Sequence, residues 1–318
     1  MLGATLAASA TFANSDRAVE LQRKLNAGHP LSDAELDELM ALGPSESVSV
    51  DRIMVPVTVT SRWGRPIGGL KRQDFKLEVG GRPLKIDYFS SDHGLPLRLA
   101  VLLDVSGSMG QTEQRTRVRD ALTRVLPHLK RDDEMQLMTF ASAEVRTQRD
   151  WTSEVTDLVA LAINIPAAGE TAIIDALREA ARLMPEPERS RPAILLVTDG
   201  IDNASLGMID EAIETARAVG VPVYALGIGG LDRHVQDRQE GKSPYDALRV
   251  LAEQTGGAFF EISDTESATE ATAHITQELR HQYWLAFRPY APPDGRFRPI
   301  RVSVDRSGAR VRARTGYK

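Results

Sequence analysis

The chain has no cysteine among its 318 residues, which excludes disulfides and thiolate metal sites but says little about compartment. Histidine is scarce: His29, His93, His128, His234, His274 and His281 are scattered, with no pair at the spacing that sets two imidazoles on one helix face. Each reads as a surface or packing residue rather than a zinc ligand. A long basic stripe is also missing, and 39 Lys and Arg against 44 Asp and Glu give a net charge of −5. Nucleic acid is therefore excluded as a partner, because phosphate binding needs clustered Lys and Arg. No apolar run approaches the length of a bilayer-spanning helix, so no transmembrane segment is expected.

What remains is a globular composition, 42% hydrophobic and 26% charged, at a length that suits one large domain plus a smaller one. Residues 2–13, LGATLAASATFA, lack the positive n-region of an export signal, yet they are small and apolar and contain Ala8-Ser9-Ala10, a triplet signal peptidase accepts. They read as the tail of an export signal that starts upstream, or as a disordered terminus. The preferred reading is export to the periplasm or beyond, with a cytoplasmic location as the alternative.

The periodicity divides the chain into three parts. Residues 1–46 form an N-terminal segment with a short helical arm, Asp16–Gly28 and Ser32–Gly43; Ser32-Asp-Ala-Glu35 fits a capping box, and Gly43-Pro44 stops the second helix. Residues 47–94 alternate with period two (Ile53, Val55, Val57, Val59, then Leu77 and Val79) around turns at Gly64-Arg-Pro66 and Gly80-Gly81. Residues 95–280 alternate strands with helices, which means a mostly parallel, doubly wound sheet covered on both faces. After that the β pattern returns over 281–318 without helices to cover it. The simplest solution pairs these last strands with those of 47–94, so that the α/β domain is inserted into a small β-sandwich.

The chemistry concentrates at Leu97–Gly110, LRLAVLLDVSGSMG. An unbroken apolar run ending in a Gly- and Ser-containing turn suits a strand buried on both faces. Asp104 then falls at its carboxyl end, where ligands collect in open α/β sheets. Asp104, Ser106 and Ser108 stand at alternate positions of one tight loop, with Gly107 expected to ease the bend. Carboxylate and hydroxyls without sulfur or imidazole are the ligand set of a hard cation such as Mg²⁺ or Mn²⁺. A local Asx or Ser turn is the plainer reading of the same residues, and the decision rests on other loops. Thr171 and Thr198-Asp199-Gly200 supply candidates there.

With Asp104-Val-Ser106-Gly-Ser108, Thr171 and Thr198-Asp199-Gly200 in this order at strand ends, the chain resembles the von Willebrand factor type A domain over roughly Leu97–Arg280. The flanks VPVTVTSRWGRPIGGLKRQDFKLEVGG and RPIRVSVDRSGARVRARTGY look like those of a bacterial, usually exported subfamily. The resemblance implies a metal-ion-dependent adhesion site with Asp104, Ser106, Ser108, Thr171 and Asp199 as ligands, directly or through water. It also implies Mg²⁺ or Mn²⁺ with one position open for a partner's Asp or Glu. Glu170 stands where the subfamily tends to have glycine. It reads as a solvent-facing loop charge, or as a side chain that leans over the ion. Gly200 and Asp202 belong to the possible rim, with a turn role for Asp202 and Asn203.

The function implied is cation-dependent binding of a protein ligand, not catalysis. The alternatives are an adaptor subunit of an ATPase or chelatase-like complex and a metal-assisted hydrolase. Against hydrolysis, no His or Lys accompanies the motifs as a general base. Elsewhere, Asp175 reads as a structural acid in a helix's first turn. Gly227-Ile-Gly229-Gly230 reads as a turn, and Trp63, Trp151 and Trp284 read as packing residues.

Overall fold

In the computed structural model, the described residues are 52–91, 95–142, 144–184, 190–200, 202–229, 245–289 and 296–317. The helical arm, the export-like stretch and residues 230–244 and 290–295 lie outside them. Among the described residues, no helix is long and apolar enough to cross a membrane.

The period-two segment forms β1 (Ile53–Ser61), β2 (Phe75–Val79), β3 (Arg82–Leu84) and β4 (Tyr88–Ser90). The α/β segment follows with β5 (Leu97–Asp104), α1 (Thr112–Val125), β6 (Glu134–Ala141), β7 (Glu144–Thr152), α2 (Thr156–Asn164), α3 (Ile173–Arg182) and β8 (Arg191–Thr198). It continues with α4 (Ile209–Val219), β9 (Val223–Ile228), α5 (Asp246–Thr255), β10 (Phe259–Ile262) and α6 (Thr265–His281). The closing strands are β11 (Tyr283–Phe287), β12 (Arg298–Val304), β13 (Ala309–Ala313) and β14 (Gly316–Tyr317).

Six strands make the central sheet in the order β10-β9-β8-β5-β6-β7, all parallel except the edge strand β7. β5 lies inside it and is buried on both faces, as its continuous apolar run requires. Leu97, Leu99, Val101 and Leu103 face one core with Val118, Leu122 and Val125 of α1, Leu158 of α2 and Ile275 and Leu279 of α6. Ala100 and Leu102 face the other, against Ala176 and Leu177 of α3, Ile213 of α4 and Leu248 of α5. Each leucine held this way contributes about 2 kcal/mol of burial. α1 ends at Val125 and passes into a 3-10 turn at Leu126–His128, because Pro127 offers no N–H to continue it. The edge strand β7 is nine residues long, irregularly paired with β6, and strewn with Glu144, Arg146 and Arg149. Charges and bulges of this kind keep an edge from pairing with another chain.

The flanks form two four-stranded antiparallel sheets, β13-β1-β11-β4 and β14-β12-β2-β3. Val55, Val57, Val59, Phe75, Leu77, Val79, Tyr283, Leu285, Phe287 and Ile300 share the core between them, so strands from both ends of the chain build a small β-sandwich. Within the returning β pattern of 281–318, the strand that starts at Ala309 ends at Ala313. β13 pairs with β1, whereas Gly316 and Tyr317 pair with β12 in the other sheet, so residues 314–315 carry the chain across. Arg191, buried at the start of β8, donates to the carbonyls of Leu279 and Arg280 and closes the end of α6.

Candidate metal centre

β5 and β8 lie side by side, and their chains leave toward opposite edges of the sheet, β5 to β6 and β8 to β9. A crevice opens at the carboxyl ends of such a pair. Asp104 is the last residue of β5 and Thr198 the last of β8, so the topology delivers both to this crevice.

Asp104 is buried. Its Oδ1 accepts the Ser106 N–H at 2.8 Å, and its Oδ2 accepts the Thr198 hydroxyl at 2.6 Å. The first bond is the plain Asx turn that the sequence allows, and the second reaches across strands. Burial pushes the Asp104 carboxyl up to about 6 even though the bonds from Thr198 and Ser106 oppose the shift, and the negative charge of Asp199 adds to it. The hydroxyls of Ser106 and Ser108 share a hydrogen bond at 3.2 Å. Asp199 is also buried, and its Oδ1 has no hydrogen-bond partner. Thr171 is buried in the loop that leads into α3.

Backbone bonds tie the loops together. Gly107 donates to the Gly169 carbonyl (3.0 Å), Ala168 to Val105 (2.8 Å), and Ser142 to Glu170 (2.6 Å), next to a bridge between Ser142 and Thr171. The Thr171 N–H goes to Asn203 Oδ1 at 2.8 Å, while the Thr171 carbonyl accepts from Asn203 and Ala204 at 3.0 and 3.1 Å. Gly107 is not in the left-handed region, and a Cβ there would meet the Gly169 oxygen at an ordinary 3.7 Å, so the bend does not need glycine as expected. Gly200 does: its φ is +91°, and its N–H donates to the Thr198 hydroxyl at 3.1 Å.

Glu170 is exposed. Asp202 accepts from Ile174 N–H (3.1 Å) and from the Ser205 N–H and hydroxyl (3.0 and 2.7 Å), which makes it an anchor between the third loop and the start of α3. Asp175 accepts from the N–H groups of Leu206 and Gly207 at 2.8 and 3.2 Å. Among the described residues, no three His, Cys, Asp or Glu side chains group to hold a metal. The oxygen side chains on these loops are instead the carboxylates of Asp104 and Asp199 and the hydroxyls of Ser106, Ser108, Thr171 and Thr198.

The sequence places Thr198 within a candidate motif and gives Asn203 a turn role, but it does not indicate the bonds that make Thr198 hold Asp104 and Asn203 hold Thr171. Thr198 had a signal, since it is the one hydroxyl on the otherwise apolar run Ala193–Thr198. Asn203 had none, because its partner is 32 residues away. Trp284 is buried and Trp151 packs against the core, but Trp63 is 75% exposed, contrary to its expected packing role. Its ring is covered on one side by Arg62. Gly227 and Ile228 close β9 rather than forming a turn.

A doubly wound sheet with two carboxylates and several hydroxyls at its switch point defines a class of α/β domain. A family model described as the von Willebrand factor type A domain matches residues 99–274, and the chain belongs to that family. Inter-alpha-trypsin inhibitor heavy chain H3 of Bos taurus is 30% identical over 161 residues, 45% of this chain and 18% of that protein. The chain thus spans less than a fifth of that relative's length. A protein of Borreliella burgdorferi is 22% identical over 228 residues, 65% of this chain and 61% of the other. Among solved structures, the von Willebrand factor type A protein of Catenulispora acidiphila is 14% identical with a TM-score of 0.47, covering 81% of this chain and 71% of that one. Proximal thread matrix protein 1 of the mussel byssus, solved with a zinc-occupied MIDAS motif, is 19% identical with a TM-score of 0.47, covering 64% and 50%.

Proposed function

We propose that this chain is a cation-dependent protein-binding module in which Asp104, Ser106, Ser108, Thr171 and Asp199 hold Mg²⁺ or Mn²⁺ and a partner's Asp or Glu completes the site. Membership of the family supports a protein-interaction module. The observation that carries the finer reading is Asp199 Oδ1, a buried carboxylate oxygen without a partner, in the field of the buried Asp104. Two desolvated carboxylates repel each other, and an unpaired buried charge is expensive, so the pair fits a bound cation.

In this reading Thr198 and the Ser106 N–H hold Asp104 in position, the Asn203 bridge sets the Thr171 loop, and the three hydroxyl ligands are neutral, so Asp104 and Asp199 are the only charged side chains on the ion. The ion, when bound, supplies the positive charge that attracts the partner's carboxylate. The groups that bond Asp104 are hydroxyls and a backbone N–H. They position the carboxylate and are not proton carriers near neutral pH, which favours binding over hydrolysis. The reading keeps residues 95–280 as the binding domain, residues 47–94 and 281–318 as its sandwich, 1–46 as a separate arm, and an exported location.

Calorimetric titration of Mg²⁺ and Mn²⁺ into metal-free protein tests it, alongside Asp104→Ala and Thr171→Ala. One saturable site, lost in both folded variants, is the expected result. Equal binding in wild type and variants would place the ion elsewhere.

A further inference from the structure

Next to the candidate metal centre stands a loop that the metal reading leaves unexplained. Leu206 is 93% exposed and Met208 69% exposed. A single exposed apolar side chain is ordinary and calls for no account. Here two large ones stand within three residues, on a segment whose backbone is fastened from below. Asp175 accepts from the N–H groups of Leu206 and Gly207, Asp202 binds Ser205, and the Ser205 hydroxyl accepts from Ile174 and Asp175.

Gly207 allows the close approach: a Cβ there would lie 2.8 Å from Asp175 Oδ1 and 3.0 Å from Glu211 Oε2. The loop is thus pressed onto the start of α3, and the residues on either side of Gly207 are left in solvent. The same loop bonds the candidate ligand Thr171, whose carbonyl accepts the N–H groups of Asn203 and Ala204 at 3.0 and 3.1 Å, and Leu206 follows two residues further on, so this apolar pair is carried on a loop fastened to the site.

We infer that Leu206 and Met208 are the specificity contact of the binding site, and that the partner carries a bulky apolar side chain within one or two residues of the acidic residue offered to the ion. The inference rests on the proposed cation-dependent reading. An isolated carboxylate would be shared by every acidic loop in solution, so discrimination has to come from a neighbour. Two apolar side chains on a pre-ordered loop supply it without the entropy cost of ordering a segment. A partner of this chemistry buries them, whereas a highly charged one gains nothing from them.

The test uses an array of acetyl-Gly-X-Asp-Z-Gly peptides with every residue at X and Z, a matching array with Asn for Asp, and the full chain biotinylated and tetramerised on streptavidin for avidity. Wild type, Leu206→Ser, Met208→Ser and the double variant are compared in Mg²⁺ and in EDTA, with melting curves to confirm folding. Expected are Mg²⁺-dependent binding to the Asp array and a preference of about tenfold for Leu, Ile, Met or Phe at X or Z over Ser. The double variant loses that preference and keeps the Mg²⁺- and Asp-dependent binding. Mg²⁺-dependent binding with no apolar preference, or with a preference the double variant retains, overturns the inference and leaves the metal reading standing. Absence of any Mg²⁺- and Asp-dependent binding by wild type overturns both.

Discussion

Thr198, at the end of β8, donates its hydroxyl to Asp104, at the end of β5, across 94 residues of sequence at 2.6 Å. The same oxygen accepts the Gly200 N–H, so one side chain fixes a carboxylate of the first loop and the backbone of the third. Thr198→Val keeps the shape and removes both bonds. A buried carboxylate oxygen and an N–H are left without that partner, at a cost of about 1–3 kcal/mol. Loss of an orienting partner also lowers metal affinity by about tenfold or more. Urea denaturation and Mn²⁺ titration of the variant measure the two effects separately, and a variant with wild-type values in both would show that the bond orients nothing.

Asp133 ties three elements together from the opposite end of the sheet. Its carboxylate accepts the N–H groups of Leu97 at 2.8 Å and Lys130 at 2.6 Å, and it pairs with Arg280 near the end of α6. Burial alone would raise the carboxyl, but the bonds from Arg280, Lys130 and Leu97 together hold it below the usual carboxylate range. A carboxyl depressed in the folded state contributes stability above its unfolded value, near pH 4, and loses it as pH falls through the folded value. Asp133→Asn is expected to cost about 2–3 kcal/mol at pH 7. Below about pH 4 the gap to wild type narrows, because wild type loses this contribution there and the amide has none to lose. Denaturation midpoints from pH 7 down to pH 3 record that convergence; parallel curves would contradict it.

β5 and α1 were legible because their patterns are plain: β5 is apolar at nearly every position, and α1 repeats apolar residues at 118, 122 and 125. The oxygen-bearing residues were legible because Asp104, Ser106 and Ser108 are close in sequence and end an apolar strand. What was hidden is long-range. Nothing local distinguishes Asn203 from an ordinary turn residue, and its bond to Thr171 exists only once two loops meet. Trp63 was misjudged because ring size favours burial in general, whereas the turn Ser61–Arg65, closed by Gly64 N–H to the Ser61 carbonyl at 2.9 Å, holds this ring outward. The break after Ala313 was equally invisible, since the residues 309–315 keep one strand-like pattern while changing sheets.

Glu170 offers a discriminating case on the rim. Its carbonyl accepts the Ser142 N–H, so the main chain is needed at this position, while the residue is exposed. Water screens an exposed charge, so Glu170→Gln is expected to change Mg²⁺ affinity by less than about twofold at 0.15 M salt. Calorimetry at low and physiological salt decides this. A several-fold change that persists at high salt would mean that the carboxylate reaches over the ion.

Where α6 meets the sandwich, Glu278 is buried and pairs with Arg312 of β13, with His274 Nδ1 3.3 Å from its other oxygen. The pair joins the helix that closes the α/β domain to a strand from the far end of the chain. Removing one partner differs sharply from removing both. Arg312→Met strands a carboxylate in the interior and is expected to destabilise by about 3–5 kcal/mol. Glu278→Met with Arg312→Met takes the second charge away, replaces both side chains by flexible apolar ones, and should recover most of that loss. If thermal denaturation finds the double variant no better than the single one, the seam depends on the shape of these side chains rather than on their charges. A large recovery instead means that the salt bridge adds little net stability over an apolar pair of similar size.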